Sequence, residues 1–419
     1  MINKFLYPNG GSESYVFQLG DYLQKQGHRV QYFGMEHKGR CVGNRVEAYT
    51  SDMDFHGKAV LSRLTYAVKT IYSREARALI RKVLDDFRPD VCHLNNFNYQ
   101  LTPSVILEIT KWKQDTGRPC RMIYTAHDYQ LVCPNHMLFN PIHKEICEKC
   151  AGGHFVNCVK GRCIHGSVIK SIVGSAESYY WNRRRTYGYI DAVICPSEFV
   201  KTKLDRNPFL CGKTRVLHNF IGYSDCGHEK NREKDKEKNK EKKRYALYFG
   251  RLSEEKGIRT LISAAKSLPE VPFVFAGTGP FSREITHISN IKYVGFKSGE
   301  ALKALIRNAA FTVLPSQWYE VFGLTIGESI VNGTPVIGAR IGAVPELISD
   351  MKNGLLYEAG DERSLEQAIL MIWRNPEIES RLREGCRDHI FQDVESYTEE
   401  LLKIYGQKQV EYRNCRRTG

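Results

Sequence analysis

The chain of 419 residues contains no apolar run approaching the roughly 18 residues that a membrane-spanning helix needs. Its opening stretch, from Met1 to Lys4 and beyond, carries no signal-peptide core. These two absences disfavour an integral membrane or secreted protein, so a cytoplasmic location is expected. A metal-holding Asp-x-Asp placed after a convincing strand is also missing, because the only match, Asp52-Met53-Asp54, lacks one. Aromatic residues are absent from the longest charged run, Glu229 to Arg244, which mixes nine basic with five acidic residues and contains no apolar one. Such a run cannot bury a face, and without aromatics for base stacking it reads as a solvated connector instead of a nucleic-acid tail. The thirteen cysteines are an odd number, and the scattered Cys41, Cys92, Cys195 and Cys386 read as buried thiols in a reducing compartment.

What is present points to an anion and a polyol held together. In PSQWYEVFGLTIGESI, Glu320 and Glu328 lie eight positions apart, on either side of a glycine turn. The apolar run ending at Pro315 has strand character, and Leu324 to Gly333 has helical spacing with a glycine stop. A helix entrance offers unpaired N–H groups and partial positive charge, so the amides of Phe322, Gly323 and Leu324 suit a phosphate, with the two carboxylates gripping hydroxyls beside it. Upstream, YALYFGRLSEEKGI places Arg251 and Lys256 between a strand and a helix, where two cations suit a diphosphate. FVFAGTGP, with Gly277 and Gly279, and IKYVGF add two more strand-to-glycine transitions. Strands alternating with helical segments in this way predict a doubly wound parallel sheet.

These motifs, with TPVIGARIGAVPELI and NGLLY behind them, resemble the donor-binding domain of the family 4 glycosyltransferases, retaining enzymes of the α/β GT-B fold, in which two Rossmann-like domains face each other across a cleft. The resemblance implies that Arg251 and Lys256 neutralise the pyrophosphate of a nucleotide sugar, that Glu320 touches the transferred sugar, and that Glu328 holds the ribose hydroxyls. The amino-terminal half fits the same family. Gly10 and Gly11 precede an amphipathic helical pattern, a second phosphate-facing loop. His127, at the end of the apolar run MIYTAH, matches the active-site histidine that contacts the transferred sugar. Only seven residues precede Pro8, so a short first strand is expected.

The domains expected are 1–222 on the acceptor side, with a cysteine-rich insertion at 133–163, a charged linker 223–244, a donor domain 245–393, and a terminal segment 394–419 whose helix crosses back to the first domain. Residues 1–222 hold 31 Lys/Arg against 19 Asp/Glu, whereas 245–419 hold 21 against 22. A basic acceptor domain suggests an acidic acceptor, or an anionic membrane surface carrying a lipid-linked one. The stretch Ser167 to Arg185 reads either as an interfacial helix or as a helix packed on its own sheet with its arginines in water. In the insertion, Cys133, Cys147, Cys150, Cys158 and Cys163 follow the spacing C-x13-C-x2-C-x7-C-x4-C. Cys133, Cys147, Cys150 and Cys163, with Cys158 as an alternative ligand, could close a structural zinc site, the competing readings being free thiols, a disulfide or an iron–sulfur cluster. The expected function is transfer of a sugar from a nucleotide sugar, UDP-linked, to a saccharide or polyprenyl-linked acceptor of cell-surface polysaccharide synthesis. No metal or other cofactor is expected in catalysis, and no nucleic acid as partner. An inactive zinc-bearing binding protein, or a phosphorylase or synthase on the same frame, is the alternative.

Overall fold

A computed structural model describes residues 1–51, 69–222 and 244–406. Asp52-Met53-Asp54, all but Arg244 of the expected linker, and the end of the terminal segment lie outside the described residues. The chain divides into two compact units: Met1–His143, Cys147–Asn219 and Val394–Gly419 form the first, Lys144–Ile146 and Phe220–Asp393 the second.

The first unit is a parallel sheet of β1 (Val91–Leu94), β2 (Arg121–Thr125), β3 (Ala192–Cys195) and β4 (Thr214–Val216), in that order. Beside β1 the sheet continues as isolated parallel bridges. Ile2 pairs with both Leu94 and Phe33, and Met35 pairs with Thr50. The first strand is thus a single bridged residue, flanked by the segment around Phe33 on one side and β1 on the other. Helices α1 (Gly11–Lys25), α2 (Arg74–Phe87) and α3 (Ser104–Thr116) belong to this unit. The Ser73 hydroxyl accepts from the Ala76 amide and starts α2, and Gly117, at φ 66°, ends α3 in the left-handed conformation that glycine adopts without strain. A further helix, α4 (Val168–Arg183), precedes β3.

The second unit is a six-stranded, wholly parallel sheet of β5 (Ala246–Phe249), β6 (Phe273–Ala276), β7 (Ile291–Gly295), β8 (Phe311–Leu314), β9 (Val336–Ala339) and β10 (Gly354–Tyr357). Its spatial order is β10-β9-β8-β5-β6-β7, the doubly wound arrangement with a reversal of winding between β5 and β8. The central strands read as unbroken apolar runs because both faces are covered, and Tyr248, Phe273, Phe275 and Phe311 are buried between sheet and helices. Arg244 belongs to this unit and not to a linker: its guanidinium pairs with Glu379 at 2.6 Å and donates to the Trp373 and Ile372 carbonyls.

Helix α5 (Val394–Gly406) closes the described chain and packs on α1 in the first unit, where the Tyr15 and Tyr397 hydroxyls are 2.6 Å apart and His93 Nδ1 meets the Tyr405 hydroxyl at 2.6 Å. Of the scattered cysteines, Cys92, Cys195 and Cys386 are buried, whereas Cys41 is exposed. The reading of Cys41 as a buried thiol is therefore corrected: it sits outside any strand or helix, where its thiol donates to the Leu6 carbonyl at 3.4 Å.

Candidate active site

In the second unit the reversal between β5 and β8 splays two loops apart at the strands' carboxyl ends, the place where open α/β sheets bind ligands. The loop after β5 carries Arg251 and Lys256, and the loop after β8 carries Glu320. Lys256 Nζ lies 2.6 Å from Glu320 Oε1, and the Trp318 indole N–H donates to the same oxygen at 3.0 Å. The Ser316 hydroxyl is a third donor, and Lys256 also stands 5.0 Å from the Trp318 ring centre. Burial alone would raise the Glu320 carboxyl, but the Lys256 charge and these hydrogen bonds outweigh it and hold the group below its usual range. Glu320 is therefore an oriented, ionised carboxylate.

Backbone crossings fix this geometry. Gly257, at φ 70°, passes so close to Pro315 that a Cβ there would lie 1.7 Å from the Pro315 carbonyl oxygen. The Gln317 amide donates to the Glu255 carbonyl, tying the two loops together at 2.9 Å. Gly277 and Gly279 lie in the next loop, where a Cβ would fall 1.8 Å from the Gly250 oxygen and 2.2 Å from that of Leu252. These two glycines let the loop of Arg251 pack against its neighbour. Arg251 itself is 60% exposed and holds Glu255 at 2.8 Å.

The helix Leu324–Val331 starts after Gly323, which is at φ 90° with no capping side chain. Phe322 is buried and Leu324 half-buried at this entrance. One turn in, the Glu328 carboxyl is half-buried, and burial pushes it up to about 7. No hydrogen bond or charge among the described residues contributes to that shift.

The first unit repeats the arrangement at its own reversal, between Ile2 and β1. Gly10 precedes α1 in extended conformation and Gly11 is its first residue, with no side chain capping the helix. Glu13 is buried, accepting from Asn3 Nδ2 at 3.1 Å, while Asn96 Nδ2 donates to Ser12 at 2.9 Å. Beyond β2, His127 Nε2 bonds Asn95 Oδ1 at 2.9 Å, and its ring meets Tyr15 edge-on at 5.1 Å. Burial drives the imidazole down to about 4, with Asp128 opposing, so His127 is neutral at physiological pH. With Nε2–H donated to Asn95, Nδ1 keeps its lone pair. Asp128 stands beside His136, which stacks on Tyr99 and accepts at 2.8 Å from Asn98, whose own oxygen takes a bond from Lys4.

Sequence reasoning named the carboxylates, the cations and His127 but missed their partners. Trp318 and Ser316 were visible only as polar neighbours of Glu320, and Asn95 only as the residue after a short strand. Among the five insertion cysteines, the Cys150 thiol feels the charges of Cys133, Cys147 and Cys163, and Cys158 pairs with Cys163. Cys150, Cys158 and Cys163 are buried with Phe155, and among the described residues no three His, Cys, Asp or Glu side chains stand together as metal ligands.

Two Rossmann-like units, each with charged or polar groups at its reversal, define a GT-B glycosyltransferase. Comparison with known proteins agrees. The model for Glycosyltransferase Family 4 matches residues 9–223, and that for Glycosyl transferases group 1 matches 229–389. The chain belongs to glycosyltransferase family 4. It is 28% identical over 231 residues to an uncharacterized glycosyltransferase of Methanocaldococcus jannaschii, a match covering 54% of this chain and 61% of that protein. The matched region thus spans less than two thirds of that relative's length. An uncharacterized 42.6 kDa protein in the cps region of Klebsiella pneumoniae is 22% identical over 423 residues, covering 97% of this chain and 98% of its own. Among solved structures, Anabaena HepE in complex with UDP superposes with a TM-score of 0.61 at 16% identity, covering 96% of this chain and 98% of that one.

Proposed function

We propose that this glycosyltransferase takes a sugar from a UDP-linked donor, with retention and without a catalytic metal, and passes it to a saccharide or polyprenyl-linked acceptor in cell-surface polysaccharide synthesis. The observation that carries the reading is the Lys256–Glu320 pair at the switch point, with the Glu328 carboxyl, unpartnered among the described residues, one helix turn beyond the glycine entrance. Cleavage of the bond from anomeric carbon to phosphate leaves positive charge on the sugar and negative charge on the diphosphate. Arg251, Lys256 and the amides of Phe322 to Leu324 stabilise the latter, each well-aimed donor being worth about 3–4 kcal/mol. Glu320 meets the transferred sugar, Glu328 accepts from the ribose hydroxyls, and neutral His127 orients the anomeric carbon. The match to HepE, crystallised with UDP, supports the choice of base, and the likeness to a protein of a cps region supports the class of acceptor.

The chain's own cations and amides supply the leaving-group stabilisation that a divalent ion gives in other transferases, which is the ground for proposing metal independence. A screen of nucleotide sugars by mass spectrometry, run in excess chelator, tests the whole reading. Transfer or slow donor hydrolysis that persists in chelator and falls about a hundredfold in Lys256→Ala supports it; turnover only with added Mn²⁺ or Mg²⁺ refutes the metal-free step. The anomeric configuration of the product, read by NMR, decides retention. A structural zinc on four of Cys133, Cys147, Cys150, Cys158 and Cys163 remains part of the proposal, because these thiols share one short insertion and four thiolates suffice for a tetrahedral site. Elemental analysis finding less than about half an equivalent per chain would reject it.

A further inference from the structure

Helix α4 is built inside out. Its outer face is Val168 and Ile169 followed by Ile172, Ala176 and Tyr179 at steps of three to four, with Ile169 74% and Ile172 50% exposed. Its inner face is Ser171, Gly174, Ser175 and Ser178, followed by the buried Trp181. An amphipathic helix of a globular protein turns these faces the other way.

The inner face is small because the cysteine-rich insertion presses against it. A Cβ at Gly174 would lie 2.3 Å from Ile164 Cδ1, the Ser175 hydroxyl donates to the Phe155 carbonyl at 3.0 Å, and the Ser171 hydroxyl accepts from the Ile164 amide at 3.1 Å. Insertion and helix thus form one platform, and the insertion adds to its apolar surface. Exposed Val156 donates its amide to the Tyr179 hydroxyl at 3.4 Å, and exposed Ile142 borders Gly166, just before the helix. Among the described residues nothing covers this apolar patch, the kind of surface that marks an interaction site.

The charge around the patch selects its partner. Lys160, Arg162, Lys170, Arg183, Arg184 and Arg185 are exposed on the same two segments, and among the described residues none is ion-paired. Of the acidic residues on these segments, Glu145 is exposed, Glu148 is already engaged by Lys203 at 2.7 Å and by Arg206, and Glu177 is half-buried, its carboxyl pushed up to about 8 by burial, so the cations outnumber the exposed carboxylates. Two copies of the chain meeting through this face would bring two like rings of cations together, which opposes self-association. A bilayer bearing anionic headgroups satisfies both features: acyl chains take the apolar ridge while the phosphates meet the surrounding cations.

We propose that the exposed face of α4, with Val156 and Ile142 of the cysteine-rich insertion, docks the protein on an anionic lipid surface without spanning it. No described helix is long and apolar enough to cross a membrane. The biological use of this docking rests on the reading of a lipid-borne acceptor, but vesicle binding is measured without sugar transfer, so the two fail separately.

The test is co-sedimentation of the full-length protein with vesicles of equal parts phosphatidylglycerol and phosphatidylcholine, and with phosphatidylcholine alone, at low and high salt. Binding to the anionic vesicles should be at least about tenfold tighter and should fall with salt, since each basic residue near such a surface adds to the attraction. Ile169→Glu/Ile172→Glu should lose that binding with an unchanged melting temperature, both side chains being exposed. Arg183→Gln/Arg184→Gln/Arg185→Gln should weaken binding and flatten its salt dependence. Equal affinity for both vesicle types, unchanged binding of the double glutamate variant, or a dimer of the wild type that this variant dissociates would overturn the proposal.

Discussion

Lys256 Nζ and Glu320 Oε1 meet at 2.6 Å across the reversal of the second sheet, one side chain arriving from the loop after β5 and the other from the loop after β8. The pair is mostly buried, so each partner carries the other's desolvation. Replacing Lys256 with Ala leaves a buried carboxylate facing only neutral donors, Ser316 and Trp318. We expect a loss of about 3 kcal/mol in stability, read by urea denaturation, and a fall in turnover of about a hundredfold. The double variant Lys256→Met/Glu320→Gln should recover most of the stability and none of the turnover, which separates the two roles.

The same pair sets an acid limit. Glu320 is held below its ordinary range in the folded state, so its contribution is present above the unfolded carboxylate value and is lost as pH falls through the folded one. Thermal unfolding followed from neutral to acidic pH should show the wild type losing more stability than Glu320→Gln below about pH 4.5. Parallel curves would show that Glu320 is not held by Lys256.

Glu328 behaves oppositely. Burial raises its carboxyl to about 7, so the folded state holds a proton that the unfolded chain has released, and stability declines as pH rises from the unfolded value through 7. If the carboxylate accepts from a diol, nucleotide affinity should increase over the interval in which stability declines. Calorimetry with UDP should show affinity climbing from pH 6 to pH 8 in the wild type, by about tenfold at most. Glu328→Gln should flatten that profile.

The parallel sheet and the glycine turns between its strands were legible because parallel buried strands write themselves as unbroken apolar runs, as in ALYF and FVFA. Arg251, Lys256, Glu320 and Glu328 were legible for the same reason, since each sits at a fixed offset from such a run. The partners of those residues were not. Trp318 and Ser316 reach Glu320 only because the loop after β8 folds back on itself, and sequence spacing does not encode that path. The inverted polarity of α4 was ambiguous in sequence because apolar residues at helical spacing look the same whether they face a core or solvent. Only the insertion packed on its serine face decides it.

Backbone crossings give the last prediction. Gly277 adopts φ 142° and runs against the Gly250 carbonyl, which leaves 1.8 Å for any added Cβ. No rotamer change relieves a clash with backbone, so the loop carrying Arg251 must shift or the β6 loop must lift away. Gly277→Ala should cost about 2–4 kcal/mol in stability, from left-handed strain plus the displaced contact. Because Arg251 lies one residue beyond Gly250, the surviving folded protein should also bind UDP more weakly. Gly295→Ala provides the control: it too has positive φ, 68°, but nothing lies within 4 Å of its added Cβ. It should cost only the backbone strain, about 1 kcal/mol, and leave UDP affinity unchanged. Equal losses of affinity in both variants would show that general loosening of the sheet, and not the crossing at Gly250, positions Arg251.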